Sequence, residues 1–347
     1  MKKYDANNER IKKDYFKYQK EANQRSGLTV DEIRKSIARY EEYTSHKDFR
    51  SFNKEQAIGF KNHLTKQKNT RTNEVISKST ILHIINDLKA FFRWLAYQKG
   101  YKSKIDVYEV DYFNLSEKDV RTAKQAGYKD FPTVEQIRRV LQAMPTNTEI
   151  ERRDRVLVAF TLLTGIRDKA ITTLKLKHID IDKKLVKQDP NEVATKFSKR
   201  IDTFFFPVGD DIAQIVTDWY DYLTKEKLYG YNHPLFPKTR LEQDSNHCFK
   251  PSGLTLEHWK TASAIRNIFK KAFYSIGLPY YNPHKFRDTL VHLGMKVCKT
   301  PEDFKAWSQN LGHENPLTTF TSYGNIDPYR QGELIRSLGD NANGTVK

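Results

Sequence analysis

The sequence predicts a mainly α-helical protein with a small antiparallel β-sheet, divided into two domains. Apolar residues recur at helical spacing through most of residues 1–104 and again after residue 131. Short β-prone runs interrupt this helical pattern at residues 179–208. Between the two helical regions, residues 105–130 are charged and poor in apolar periodicity, which favours an interdomain linker.

Three helices are predicted in the first domain, residues 1–104. The segment "GLTVDEIRKSIARYEEYTSH" carries Thr29 and Glu32 at capping-box spacing, and Asn53 is a candidate N-cap for the next helix. The third segment, "STILHIINDLKAFFRWLAYQKGY", has a broad apolar stripe that Gly100 is expected to end. Together these segments predict an all-α bundle with lysine and arginine on its outer faces.

The second domain is expected at residues 131–330, followed by a C-terminal tail at 331–347. Thr133 and Gln136 form a second capping-box pattern, and "RDRVLVAFTLLTGIR" is the most apolar helix and therefore the expected core. Residues 179–208 predict three short strands separated by the turn signals "DPNE" and "FSKR". The chain then returns to helical patterns in "DIAQIVTDWYDYLTKE", "EHWKTASAIRNIFKKAFYSIG" and "NPHKFRDTLVHLGMKV".

Composition narrows the functional classes. Lysine and arginine number 60 against 43 aspartate and glutamate, giving a net charge of +17 that attracts polyanions, with nucleic acid as the first candidate. Cys248 and Cys298 form no disulfide framework, and no spacing suggests a metal site. The N-terminus lacks the apolar core of a signal peptide and no long apolar window follows, so a cytoplasmic, nucleoid-associated protein is expected.

Two candidate functional cations stand in the first half of the second domain. Arg167 follows the most apolar helix, where an arginine is costly unless it is paired or faces a ligand. Lys196 precedes the "FSKR" turn in the strand region. Taken alone, Arg167 also fits a salt-bridged surface residue, and Lys196 also fits a solvated strand side chain.

Two further segments carry candidates in the second half. His284 and Arg287 lie three residues apart at the predicted start of a helix, with Asn282 as its N-cap, and the helix dipole favours an anion there. His313 follows a glycine at a helix end, and Tyr323 comes ten residues later. The alternatives are a capped surface helix with incidental charges and an ordinary packing tyrosine.

Phosphoryl transfer uses this combination of side chains. A tyrosine can attack a phosphodiester and hold it as a phosphotyrosine. Two arginines can neutralise the non-bridging oxygens in the transition state. A lysine can protonate the leaving 5′ hydroxyl, and a histidine can act as general acid or base. This scheme requires no metal ion and no high-energy cofactor.

The ordered blocks "TGIR…LKHIDID", "TKFSKRIDTFFFP", "PHKFRDT" and "LGHENPLTTFTSYG" resemble the catalytic domain of the tyrosine recombinases, the phage integrase family. The likeness covers roughly residues 131–330. Residues 1–104 resemble, more loosely, the helical, SAM-like core-binding domain that precedes it in that family. The resemblance implies six catalytic positions: Arg167, Lys196, His284, Arg287, His313 and the nucleophile Tyr323. Lys199 is the alternative for the hairpin lysine.

Three features depart from the family pattern. Ala170 stands where the family has an acidic residue after the first arginine, and Asp288 stands where a histidine often follows the second. Tyr323 lies one residue further from His313 than the family pattern has it, and one extra residue would turn a helical side chain by about 100°. Tyr329 is the other downstream tyrosine, but it follows a turn-like "IDP".

The resemblance implies a site-specific DNA recombinase or integrase that acts through a 3′-phosphotyrosine, as a tetramer on two double-stranded DNA sites. The tail would dock on its own domain or on a neighbouring subunit, and the sequence leaves both open, as it does accessory DNA-bending proteins. No separate arm-binding domain is recognisable before the bundle, which favours a simple-site enzyme. Two alternatives are a type IB topoisomerase that relaxes DNA and a DNA-binding protein with a retired active site.

Overall fold

The computed structural model contains two compact units, Met1–Gln125 and Ala126–Lys347. The residues it describes are 4–69, 73–124, 130–195, 199–245, 247–313, 329, 331–333 and 335–336. Both units are mainly helical, and the second also holds small antiparallel sheets, which confirms the predicted fold class. Within the described ranges, no helix combines the length and the apolar character needed to cross a membrane.

The first unit is helical, apart from an isolated antiparallel bridge between Lys68 and Val75. Its α-helices are α1 (Ala6–Glu21), α2 (Gly27–Tyr43), α3 (Lys54–Lys66), α4 (Lys78–Leu95), α5 (Val107–Val110) and α6 (Glu117–Lys124). Short 3-10 turns at Phe49–Ser51 and Asp111–Phe113 connect them. Helix α4 buries the apolar stripe seen in the sequence, formed by Ile81, Ile84, Ile85, Leu88, Phe91, Phe92 and Leu95.

Two helix boundaries in this unit differ from the sequence prediction. Ser26, not Thr29, caps α2, because its hydroxyl accepts a hydrogen bond from the Thr29 amide and places Thr29 in the first turn. Helix α4 ends at Leu95, before Gly100, which lies in the following turn with φ +84°. The predicted cap at Asn53 is confirmed, since its side chain accepts from the Gln56 amide at 3.0 Å.

Much of the segment predicted as a linker lies within the first unit. Ile105, Val110 and Phe113 are buried in the core of that unit. Helix α6 packs against α4, and the Lys78 ammonium pairs with the Asp119 carboxylate at 2.9 Å. These apolar anchors are widely spaced among charged residues, so they produce no periodic pattern in the sequence.

The second unit carries further α-helices and strands. They are α7 (Val134–Ala143), α8 (Glu149–Thr164), α9 (Asp168–Ile171), β1 (Ile179–Asp180), β2 (Leu185–Gln188), β3 (Ile201–Phe204), α10 (Asp210–Asp221), β4 (Thr239–Gln243), β5 (Phe249–Leu254), α11 (Ser263–Tyr274), α12 (Lys285–Val297) and α13 (Pro301–Asn310). Helix α8 is the core helix that the sequence predicts, since every residue from Val156 to Thr164 is buried. The capping box of Thr133 and Gln136 is present at the start of α7.

Strands β1, β2 and β3 form the predicted three-stranded antiparallel sheet, with β2 in the centre and β3 at an edge. The predicted turns are misplaced, because "DPNE" and "FSKR" both fall in the β2–β3 connection. The β4–β5 hairpin was not predicted at all. Its strands are mostly exposed, and their few apolar residues, such as Leu241 and Phe249, show no regular alternation with polar ones.

Helix α12 begins at Lys285, two residues after the predicted start. His284 therefore occupies its N-cap position, and the Asn282 side chain accepts from the His284 amide at 3.0 Å. Arg287 is therefore the third residue of the helix, and its side chain is buried in the protein interior.

Candidate active site

Arg287 is the centre of the site, although only 2% of it is exposed. Its Nη1 donates to the Gly165 carbonyl at 2.6 Å, and its Nη2 donates to the Leu311 carbonyl at 2.6 Å. The same Nη2 lies 2.8 Å from Nε2 of His313. These contacts join the end of α8, the start of α12 and the turn after α13, so a buried guanidinium holds together three segments that are distant in sequence.

Gly165 makes this close approach feasible. It terminates α8 in the left-handed region, with φ +58°. A Cβ atom at this position would lie 2.9 Å from both Leu290 Cδ1 and Leu311 Cδ2. The glycine therefore lets α12 and the Leu311 turn pack against the end of α8, and it leads directly to Arg167 two residues later.

His313 lies just after α13, where Gly312 turns the chain with φ +71°. Its amide donates to the Ser308 carbonyl at 3.1 Å. Because an arginine only donates hydrogen bonds, Nε2 of His313 accepts from Arg287, which assigns the proton of the neutral ring to Nδ1. Burial, followed by the charges of Arg287, Arg167 and His284, lowers the pKa of His313 to about 4.

The structure brings together four of the six positions implied by the sequence. The half-buried Arg167 and the exposed His284 both lie close enough to act electrostatically on the imidazole of His313, which contacts Arg287 directly. We call these four residues the Arg–His cluster. Lys196 and Tyr323 lie outside the described residues, whereas the alternative lysine, Lys199, is described and half-buried.

Two of the residues that depart from the family pattern are buried. Ala170 is 1% exposed and packs in the core of the second unit. Asp288, which is 4% exposed, pairs with the Lys285 ammonium at 3.4 Å. Tyr329, the alternative tyrosine, is 86% exposed.

An ion-pair network that the sequence did not predict lies at the base of the β2–β3 connection. Glu192 accepts from the Lys177 ammonium at 2.8 Å and contacts Nε2 of His178 at 2.9 Å. These two hydrogen bonds lower the pKa of Glu192 to about 2. Nearby, the Ala194 amide donates to the Thr173 hydroxyl at 2.9 Å. Glu192 belongs to the "DPNE" segment, which the sequence marks only as a turn.

Chemically, the Arg–His cluster is suited to an anion. Two guanidinium groups supply permanent positive charge, and a phosphate oxygen makes short, charge-assisted hydrogen bonds with such groups. The neutral imidazole of His313 adds a proton donor at Nδ1. Within the described part of the chain, no group of three or more histidine, cysteine, aspartate or glutamate side chains could hold a metal ion.

Comparison with known proteins decides the family. The profile of the phage integrase family matches residues 131–329, more than half of the chain and the whole of the region that holds the Arg–His cluster. The chain belongs to the phage integrase family. The family predicted from the sequence blocks is therefore confirmed.

Individual relatives agree with this assignment. The tyrosine recombinase XerC of Lactobacillus delbrueckii subsp. bulgaricus (strain ATCC BAA-365 / Lb-18) is 22% identical over 253 residues, which cover 72% of each chain. Among solved structures, the XerH site-specific recombinase in a post-cleavage complex with a palindromic difH substrate has a TM-score of 0.64 at 16% identity, covering 92% of this chain and 82% of that one. A lambda integrase(75-356) dimer bound to a COC′ core site has a TM-score of 0.60 at 12% identity, covering 92% and 99%. At these identities the likeness shows a shared fold.

Proposed function

We propose that this protein is a site-specific DNA recombinase that cleaves and rejoins DNA strands through a 3′-phosphotyrosine at Tyr323. The observation that carries the proposal is the contact of Arg287 with His313, with Arg167 and His284 beside it, inside the region that matches the family. Relatives whose structures contain recombination-site DNA support DNA as the substrate. The net charge of +17 supports the same substrate class.

In the proposed reaction His284 takes the proton of the Tyr323 hydroxyl as general base. The Tyr323 oxygen attacks the scissile phosphorus while the bond from phosphorus to the 5′ oxygen breaks. Arg167 holds non-bridging oxygens, and Arg287 adds its charge from a position fixed by two backbone carbonyls. His313 donates from Nδ1 to a phosphate oxygen, and Lys196 gives a proton to the leaving 5′ oxygen. Attack by the 5′ hydroxyl of a partner strand then reverses these steps and releases the tyrosine. Side chains supply the charge and the proton transfers, so the scheme uses no metal ion. The phosphotyrosine conserves the energy of the bond, so no high-energy cofactor is needed.

The exchange of strands between two duplexes calls for two DNA sites, with a protomer on each half-site. We therefore propose a tetramer that works on double-stranded DNA in the cytoplasm, at the nucleoid. Each protomer would neutralise several phosphates, so DNA affinity should fall steeply as salt concentration rises. A search of the DNA flanking the gene for inverted repeats around a short spacer would identify a candidate recombination site for assays.

A nicked suicide substrate containing that candidate site tests the chemistry. We expect the wild-type protein to form a covalent adduct, and we expect Tyr323→Phe to form none while binding the DNA normally. Tyr329→Phe is the matched control and should form the adduct at the wild-type rate. An adduct that persists in Tyr323→Phe would remove the proposed nucleophile.

Two other results would favour the alternative functions. Relaxation of any supercoiled plasmid by the wild-type protein, without exchange between matched sites, would indicate a topoisomerase. Tight and specific DNA binding without an adduct would indicate a DNA-binding protein that lacks cleavage activity.

A further inference from the structure

Asn310, the last residue of α13, forms an unusual contact with the sheet. Its Nδ2 donates to the Phe204 carbonyl at 2.8 Å, and its Oδ1 accepts from the Phe204 amide at 2.7 Å. Phe204 ends β3, which is an edge strand of the three-stranded sheet. The side-chain amide thus pairs with the edge as a neighbouring strand would, although the two residues are 106 positions apart.

Two more contacts join the same turn to β3. The Thr203 hydroxyl donates to the Asn310 carbonyl at 3.1 Å, and Thr203 is only 2% exposed. Gly312 packs directly on Ile201, because a Cβ atom at Gly312 would lie 2.8 Å from Ile201 Cδ1. The chain from residue 310 to residue 312 is therefore fixed to the strand along its length.

The opposite side of this turn faces the Arg–His cluster. Arg287 binds the Leu311 carbonyl and the His313 ring. The ring keeps this contact only while it is neutral, because a protonated imidazole could not accept from Arg287 and would be repelled by the guanidinium. The contact therefore depends on the backbone that keeps the ring buried against Arg287, and the anchor on β3 holds that backbone from the other side.

We propose that Asn310 is a positioning residue for His313, which it keeps on Arg287 by fixing the 310–313 turn to the edge of β3. This inference deepens the proposed function and rests on it for the catalytic role of His313. The described charged groups that act on His313 are Arg287 on α12, His284 at the N-cap of α12 and Arg167 before α9. The anchor itself is uncharged, so its loss changes the surroundings of the ring without changing the charge of the site.

The first test needs no DNA. NMR titration of the histidine ring resonances in the full-length protein measures the pKa of His313. The signal of His313 is assigned by its absence from the spectrum of His313→Gln. We expect a value of about 4 in the wild type and a rise toward the ordinary 6.5 in Asn310→Ala, as water reaches the ring. Gln309→Ala, on the preceding residue, is the matched control and should titrate like the wild type. An unchanged pKa in a folded Asn310→Ala protein would overturn the proposal.

The second test measures adduct formation on the suicide substrate in a single turnover. Asn310→Ala should react more slowly by a factor on the order of 10 to 100, with unchanged DNA affinity, because a displaced group loses its alignment. Its rate should also fall as the pH drops below about 6.5, where the wild-type rate stays level, since a more exposed imidazole becomes protonated there. Equal rates and equal pH profiles for Asn310→Ala and the wild type would overturn the proposal.

A conservative variant guards against misfolding. Asn310→Gln keeps an amide donor and acceptor for Phe204 on a longer side chain and adds no charge, so it should show a smaller shift in the same direction. A Gln variant that departs further from the wild type than the Ala variant would contradict the anchor. Failure of the wild-type protein to form any adduct would defeat the proposed function, whereas the NMR titration would still decide the role of Asn310.

Discussion

The substitution Gly165→Ala should both destabilise the second unit and disturb the Arg–His cluster. The new methyl group would occupy a left-handed position, which costs about 1–2 kcal/mol for a residue with a side chain. It would also lie 2.9 Å from two leucine side chains, and overpacking of this kind costs about 1–3 kcal/mol. The two effects together predict a loss of about 2–5 kcal/mol in the free energy of unfolding.

Urea denaturation followed by tryptophan fluorescence measures this loss, because three of the four tryptophans lie in the second unit. Two alanine variants separate the causes. Gly277 has φ +74° but open space around it, so Gly277→Ala should show the backbone cost alone. Gly230 has neither constraint, so Gly230→Ala should be close to neutral. A Gly165→Ala protein no less stable than Gly277→Ala would refute the steric argument, and one as stable as Gly230→Ala would refute both.

Three further outcomes are expected. Arg287→Lys should slow adduct formation roughly 100-fold or more, because a compact ammonium cannot span the two carbonyls and the imidazole that the planar guanidinium reaches. A tenfold loss or less would contradict the bridging role. The folded state holds His313 neutral with a pKa of about 4, so the free energy of unfolding should decrease as pH falls from about 6.5 toward 4. In urea titrations, His313→Gln should show a weaker dependence on pH. Glu192→Gln should slow adduct formation by weakening the ion-pair network that precedes Lys196. Glu242→Gln, on the exposed β4 strand, should react at the wild-type rate, and equal rates for the two variants would contradict a role for Glu192.

The features that could be predicted were local in sequence. The buried stripe of α4, the apolar core helix α8 and the capping box of Thr133 each depend on residues a few positions apart, and the structure contains all of them. The ordered blocks also sufficed to predict the family, which the profile match confirms. The boundaries at Ser26 and His284 were misplaced, because several polar residues compete for a cap and only packing selects one.

By itself the sequence determined several of the helical segments, among them α4 and α8, together with the excess of positive charge and the family of this protein. The tertiary structure decided which side chains meet: Arg287 with a carbonyl 122 residues away, Glu192 with His178, and Asn310 with Phe204. Such contacts carry no periodic signal, because each joins single residues from elements whose relative placement depends on the packing of the whole core. The neutral state of His313 has the same origin, since burial and distant charges lower its pKa.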